Sequence, residues 1–248
     1  MRLLLFMAFL MATLGVGGGS FPTAPSSSNL VAWYKTETLA LADGAAVVTW
    51  PDSSGQGNDI TQGTAGKRPT FKTGVLQGRD AVRYSNANDS CLIDATPSGL
   101  GAAGYTAYVV FKVGTWLNNA LLLATNSSTA GVILSNGAAQ TFYSIAHGGN
   151  GVQVDTGEGG GAKAARIVRG GWAPNTMAIY VGGVGPLSLG NSDAFSQTLI
   201  CVGAHDDTDT TLNFDGDIGE VLLYNGDISA SEKTTTQGYL VGRWSLPF

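Results

Sequence analysis

Charge is scarce in this chain: of 248 residues only 12% are Asp, Glu, Lys or Arg. Eighteen acidic against thirteen basic residues leave a net charge of −5, and no basic cluster is denser than Lys67–Arg68. With no stripe of cations to neutralise successive phosphates, the sequence argues against a nucleic-acid partner. Cysteine is nearly absent as well. Cys91 and Cys201 are too few for a disulfide scaffold and lack the spacing of a zinc site. They admit one long-range bridge between strands, or two buried thiols acting as small hydrophobes. Histidine is limited to His147 and His205, each beside Gly or Asp in an expected loop. No serine sits in a Gly-x-Ser-x-Gly elbow, so nucleophilic catalysis has little material. Long apolar runs are missing too. The longest, Met1 to Val16, falls short of the roughly 20 residues that a membrane span needs.

What the chain does have is apolar bulk and turn formers. Hydrophobic residues make up 44% of it, and its 36 glycines, scattered without a period, mark many tight turns and exclude collagen. Between those turns run short apolar or alternating segments of strand type. They cover Leu30–Lys35, Ala46–Trp50, Ala81–Tyr84, Tyr105–Val113, Ala120–Ala124, Gly131–Leu134, Thr141–Ala146, Ala164–Val168, Met177–Val181, Thr198–Val202 and Asp217–Tyr224. Tyr105–Val113 is apolar on both faces in places, as a central strand of a two-sheet sandwich would be. One helix is expected near the C-terminus. Ser229 and Glu232 form a capping box, and Leu240, Val241 and Trp244 give the following turns an apolar side. The pattern predicts an all-β, two-sheet antiparallel jelly-roll sandwich with a short C-terminal helix.

Three regions follow: an apolar segment at 1–16, a Gly/Pro/Ser-rich linker at 17–28 and one folded domain at 29–248. Arg2, the short apolar run and the small residues after it have the outline of a secretory signal. The same segment, if retained, would serve as an arm wedged among neighbouring subunits, because such a surface is soluble only when covered.

Two groups of motifs carry a resemblance. The first is Leu30-Val-Ala-Trp-Tyr-Lys, Val48-Thr-Trp-Pro-Asp-Ser-Ser-Gly-Gln-Gly-Asn-Asp, Arg68-Pro-Thr-Phe and Ala81-Val-Arg-Tyr. The second is Phe214-Asp-Gly-Asp-Ile-Gly-Glu-Val-Leu-Leu-Tyr-Asn, Ile228-Ser-Ala-Ser-Glu and Gly238-Tyr-Leu-Val-Gly-Arg-Trp. Together they resemble the concanavalin A-like lectin/glucanase superfamily in its laminin G-like branch, which is common in bacterial surface proteins and phages. The resemblance implies a lectin-like sandwich and leaves the task open, since one sandwich serves many. The residues agree with it. Asp52 to Asn58 read as a turn whose Asp and Asn side chains bond nearby backbone. Trp33 and Trp50 read as core, and Ile218, Val221, Leu223 and Tyr224 as a buried terminal strand.

The sharpest chemical candidate is Asp215-Gly-Asp217-Ile-Gly-Glu220. Glucanases of the superfamily place two glutamates around an aspartate on one strand, and a retaining hydrolase needs its carboxyls about 5 Å apart. Here the first position is Asp, one methylene shorter, and the laminin G-like pattern already accounts for the stretch, so structural carboxylates and no catalytic residues are expected. Asp206, Asp207 and Asp209 share one loop and are the candidates for calcium, although the ordered ligands of an EF-hand are missing. No other cofactor is implied. Trp116, Tyr143 and Trp172 are the candidates for stacking on a sugar ring, with contact to a partner protein as the competing role.

The resulting expectation is a non-catalytic, surface-displayed structural or adhesive module. Its first form is a phage virion component, a capsid decoration or tail-associated protein anchored through residues 1–28 to other virion subunits. It would be a homo-oligomer or part of a larger assembly, with no membrane span, and a cell-surface glycan is a possible ligand. The alternative is a secreted or envelope-attached bacterial carbohydrate-binding module, and a glucanase-like hydrolase ranks third.

Overall fold

The computed structural model describes residues 20–248 except 102–103, 116, 118–119, 127–129, 136–141, 148–149, 156–164, 174–175, 182–183, 190–196, 207 and 209–211. In chain order the described strands begin with β1 (Leu30–Lys35), β2 (Thr49–Trp50), β3 (Ile60–Thr61), β4 (Thr70–Leu76), β5 (Arg79–Tyr84), β6 (Leu92–Asp94), β7 (Tyr105–Val113) and β8 (Ala120–Asn126). They continue with β9 (Ala130–Ser135), β10 (Phe142–His147), β11 (Asn150–Asp155), β12 (Ala165–Ala173), β13 (Thr176–Val181), β14 (Val184–Leu189), β15 (Ile200–Val202) and β16 (Gly216–Asn225). One α-helix, α1 (Ala230–Trp244), follows.

The strands form two sheets, and the ladders within each are antiparallel. The first runs β14-β13-β12-β7-β16-β5-β4, with β1 also paired to β16; the second runs β11-β10-β9-β8-β15-β6-β3-β2. This is the expected all-β, two-sheet sandwich. β1 and β7 have the bounds read from the sequence, and β7 lies between β12 and β16, the central place that its two apolar faces predicted. Strands β3, β4, β6, β11 and β14 were not anticipated. β3 and β6 are only two and three residues long, and β4 is interrupted by Gly74 at φ +66° where its register on β5 shifts. Segments of that kind leave little periodicity to read.

The main core fills the space between the sheets. Tyr34, Trp50, Ile60, Phe71, Tyr84, Phe111, Leu122, Val202, Phe214, Ile218, Val221 and Leu223 meet there, each large side chain contributing about 1.5–3 kcal/mol by leaving water. A second cluster lies on the outer face of the first sheet, where Leu30, Tyr108, Leu222 and Tyr224 pack against Tyr239, Leu240 and Trp244 of α1. The helix starts as its sequence predicts. Ser229 Oγ accepts from the Glu232 amide, and the Glu232 carboxylate accepts from the Ser229 amide, which completes the capping box.

Within the Gly/Pro/Ser-rich stretch, residues from Phe21 onward are seated on this helix. Pro25 is buried, the Ser26 amide donates to Thr236 Oγ1 at 3.3 Å, and Tyr224 Oη donates to the Ser26 carbonyl at 3.1 Å. Gly238 and Gly242, one helical turn apart, leave room for Pro22 and Phe21. Residues 1–16 lie outside the described part of the chain. Among the described residues, no helix is long and apolar enough to cross a membrane.

Candidate functional site

The acidic stretch Asp215–Glu220 was the sharpest chemical candidate in the sequence, and its geometry decides what it can do. Strand β16 sends Ile218, Val221 and Leu223 into the main core and Leu222 and Tyr224 toward α1. Between Ile218 and Glu220 its register on β7 slips, a bulge that re-aims the side chain after it. The neighbouring strand on the other flank changes at the same point. Gly216–Ile218 pair with β5, whereas Glu220–Tyr224 pair with β1. Gly219 lies directly under the Trp244 indole, which a Cβ at that position would strike.

Glu220 is thereby turned into the interface between sheet and helix, where it is fully buried. Four side chains donate to it. Trp33 Nε1 and Tyr239 Oη reach Oε1 at 2.6 and 2.7 Å, while Arg243 Nε and Trp244 Nε1 reach Oε2 at 2.8 and 2.7 Å. A carboxylate offers about four lone-pair sites, so every one is taken. Arg243 makes a second contact with the Glu37 carboxylate. Burial works against ionisation of Glu37, but the hydrogen bond from Arg243 and its charge outweigh it and hold the carboxyl below its ordinary value. Burial pushes the Tyr239 phenol up, and the adjacent Glu220 charge pushes it further.

The other two acids of the stretch have separate attachments. Asp217 receives a bidentate pair from Arg83, its cross-strand partner on β5, at 2.7 and 2.9 Å. The Asp215 carbonyl accepts from the Gly114 and Thr115 amides at 2.8 and 3.3 Å, which ties the turn after β7 to the start of β16. Asp217 thus has a side-chain partner in Arg83, whereas Asp215 is tied through its backbone carbonyl and not its carboxylate.

The Asp52 turn also has the role its sequence implied. Asp52 Oδ1 accepts from the Trp33 and Ser54 amides at 2.9 and 2.8 Å, and Oδ2 accepts from Ser54 Oγ and the Asn58 amide at 2.6 and 3.1 Å. Asn58 Nδ2 donates to the Val31 and Ser98 carbonyls. Trp50 is core, with Nε1 bonded to the Lys35 carbonyl. Trp33 is not: it is half-buried beside α1, edge-on to Tyr239, with the Lys35 ammonium 4.0 Å from its ring centroid.

The remaining candidates are scattered. Trp116 lies outside the described residues, as do Asp207 and Asp209. Tyr143 is in β10 opposite Leu134 and Val154. Trp172 belongs to β12, opposite Tyr105 and Met177, rather than to the turn that its Gly-Gly and Pro neighbours suggested. His147 ends β10 instead of occupying a loop. Asp206 Oδ1 accepts from the Thr208 amide and hydroxyl, both at 2.7 Å, and His205 Nδ1 stands 3.6 Å from its other oxygen. Among the described residues no three His, Cys, Asp or Glu side chains converge as a metal would require. Cys91 and Cys201 are both buried, as thiols and not as a disulfide.

Sequence reasoning missed Tyr239 and Arg243. Their spacing of one helical turn, with Trp244 next, was the available signal: it places a phenol, a guanidinium and an indole on the face that α1 turns to the sheet.

No family model matches the chain, and no curated protein does. Its fold has relatives among solved structures. A GH54 arabinofuranosidase complexed with arabinofuranosyl-α-1,2-xylobiose matches with a TM-score of 0.63 at 15% identity, over 91% of this chain and 62% of that one. A Trypanosoma rangeli sialidase matches with a TM-score of 0.58 at 13% identity, over 95% of this chain and 38% of that one. A provisionally assigned carbohydrate-binding protein from Bacteroides ovatus matches with a TM-score of 0.50 at 16% identity, over 62% of this chain and 46% of that one. The chain thus spans less than two thirds of the length of these enzymes. At such identities the likeness is one of fold: a lectin-like β-sandwich of the kind that glycoside hydrolases and carbohydrate-binding proteins share.

Proposed function

We propose that this chain is a non-catalytic recognition module, a surface-displayed sandwich that binds carbohydrate and hydrolyses none. The observation that carries the reading is the state of Glu220. A nucleophile or a general acid must reach the scissile bond with a free oxygen, and both oxygens of Glu220 are occupied by donors in a site closed to solvent. Asp217 is likewise held by Arg83. The binding half of the reading rests on analogy of fold alone, with glycoside hydrolases and a carbohydrate-binding protein that share the sandwich.

A second form of the module, a structural component of a phage virion, is favoured by one feature. Phe21 and Pro22 are seated on Gly242 and Gly238, so the described chain begins along the α1 face. In this form the segment at 1–16 engages a neighbouring subunit from that face.

The test uses the full chain on a glycan array and in pull-downs with insoluble plant and bacterial polysaccharides, with arabinofuranosides, sialosides and β-glucans assayed for turnover. Retention on at least one glycan with no release of product is expected. Turnover that disappears in Glu220→Gln while the fold is kept would replace the module with an enzyme. Absence of binding to every glycan, with copurification on virus particles, would favour the structural form.

A further inference from the structure

We propose that Cys91 and Cys201 form an intramolecular disulfide when the chain folds in the presence of a disulfide oxidant. They are the chain's only two cysteines, and the fold brings them together across roughly 110 residues of intervening sequence. Cys201 pairs with Ile93 and Val202 with Leu92, so alternation along β6 and β15 puts Cys201 and Cys91 on the same face of the second sheet. Both are fully buried in one small cluster with Leu121, Ala124, Leu199 and Ala204. By that register Cys91 lies one diagonal step from Cys201 across the β6–β15 pair. Gln62 Nε2 also donates to Cys91 Sγ at 3.0 Å.

Closing the bond requires the sulfurs to approach to about 2.05 Å. Cys91 precedes β6, and its amide bonds the Lys67 carbonyl at 3.2 Å instead of a ladder partner, so the shift it must make breaks no hydrogen bond of the β6–β15 ladder. In the reaction each thiol loses a proton and the pair gives up two electrons. One S–S bond forms, and the oxidant, a small-molecule disulfide such as oxidised glutathione, accepts the electrons and is cleaved to two thiols. The contact with Cys91 and then burial push the Cys201 thiol well above its ordinary value. The folded protein therefore holds little thiolate, and exchange is slow once the sheets have closed. The bond forms as the chain folds and is afterwards shielded from reductant.

The experiment folds the full chain from denaturant in a buffer of reduced and oxidised glutathione, quenches with acid and counts thiols in denaturant alongside intact mass. A second sample, never denatured, is held in the same buffer for days so that the result does not depend on refolding. The expected product has no free thiol and lacks two hydrogens. It resists reductant until denaturant is added, and its Tm falls by roughly 10 °C on full reduction, a loss absent from Cys91→Ala. A folded chain keeping two thiols in both samples, or carrying glutathione adducts only, would overturn the proposal.

Discussion

At the scale of the residue, the main lesson is how completely one carboxylate can be consumed by structure. Glu220, Arg243 and Glu37 form a chain of charge that runs from the buried interface to the surface, and the phenol and two indoles supply the remaining donors. Glu37 gives this chain a pH dependence. Its pKa in the folded protein lies below the unfolded value, so its contribution to stability is present above the unfolded pKa of about 4.3 and is lost as pH falls through the lower folded value. Acid titration of stability should therefore steepen below about pH 4.3, and Glu37→Gln should flatten that limb; identical acid limbs for the two proteins would contradict the assignment. Arg83 is the comparable tie on the flanking strand. Its loss in Arg83→Met leaves Asp217, only 5% exposed, without its bidentate donor. Urea unfolding should report a loss of about 1–3 kcal/mol.

The element that matters most is α1 on its sheet, and glycines set its fit. A Cβ at Gly219 would meet the Trp244 indole, whose ring is buried and anchored to Glu220. Gly219→Ala should displace the helix, seen as lost near-UV dichroism of the tryptophans and a large drop in Tm. Gly242→Ala meets Phe21 instead, a side chain 42% exposed with open solvent to turn into. That variant should keep its Tm within a few degrees while residues 21–28 gain protease sensitivity. Equal effects of the two would show that the helix seat is softer than described. Much of this element was legible in the sequence. Ser229 and Glu232 announced its start, and Leu240 and Trp244 its buried side. Its polar duties were not legible, because Tyr239 and Arg243 acquire a partner only when the bulge before Glu220 turns that carboxylate toward them, and the bulge follows from pairing with β7 and β1 that no local pattern encodes.

Across the whole molecule, the sandwich was readable where strands are long and apolar, as in β1, β7 and β16, and obscure where two or three residues suffice, as in β3 and β6. Such short pairings are held by loops and long-range partners, so their sequences carry little period of their own. The site suffered from the same limit in reverse. Trp172 looked like a turn residue because of its Gly and Pro neighbours, yet its register between β7 and β13 makes it part of a strand. Several tyrosines also bear on the whole fold. Burial raises the phenols of Tyr34, Tyr84, Tyr105, Tyr224 and Tyr239 above their ordinary value. A raised pKa means that the neutral phenol's contribution is complete below an unfolded value near 10 and is lost as pH climbs toward the folded value. Alkaline unfolding should therefore begin above about pH 10, with most tyrosinate absorbance appearing together with the loss of β dichroism. Substantial ionisation in a chain that is still folded would count against that burial.

The most direct trial of the account is the unfolding free energy of Glu220→Gln in urea, compared with the unaltered chain. Removing one partner of a buried pair leaves Arg243 and the indole and phenol donors poorly matched, so a loss of about 3–5 kcal/mol is predicted. A carboxylate kept for catalysis is commonly a burden on stability, and neutralising it tends to strengthen the fold. Unchanged or increased stability in the variant would therefore contradict the account.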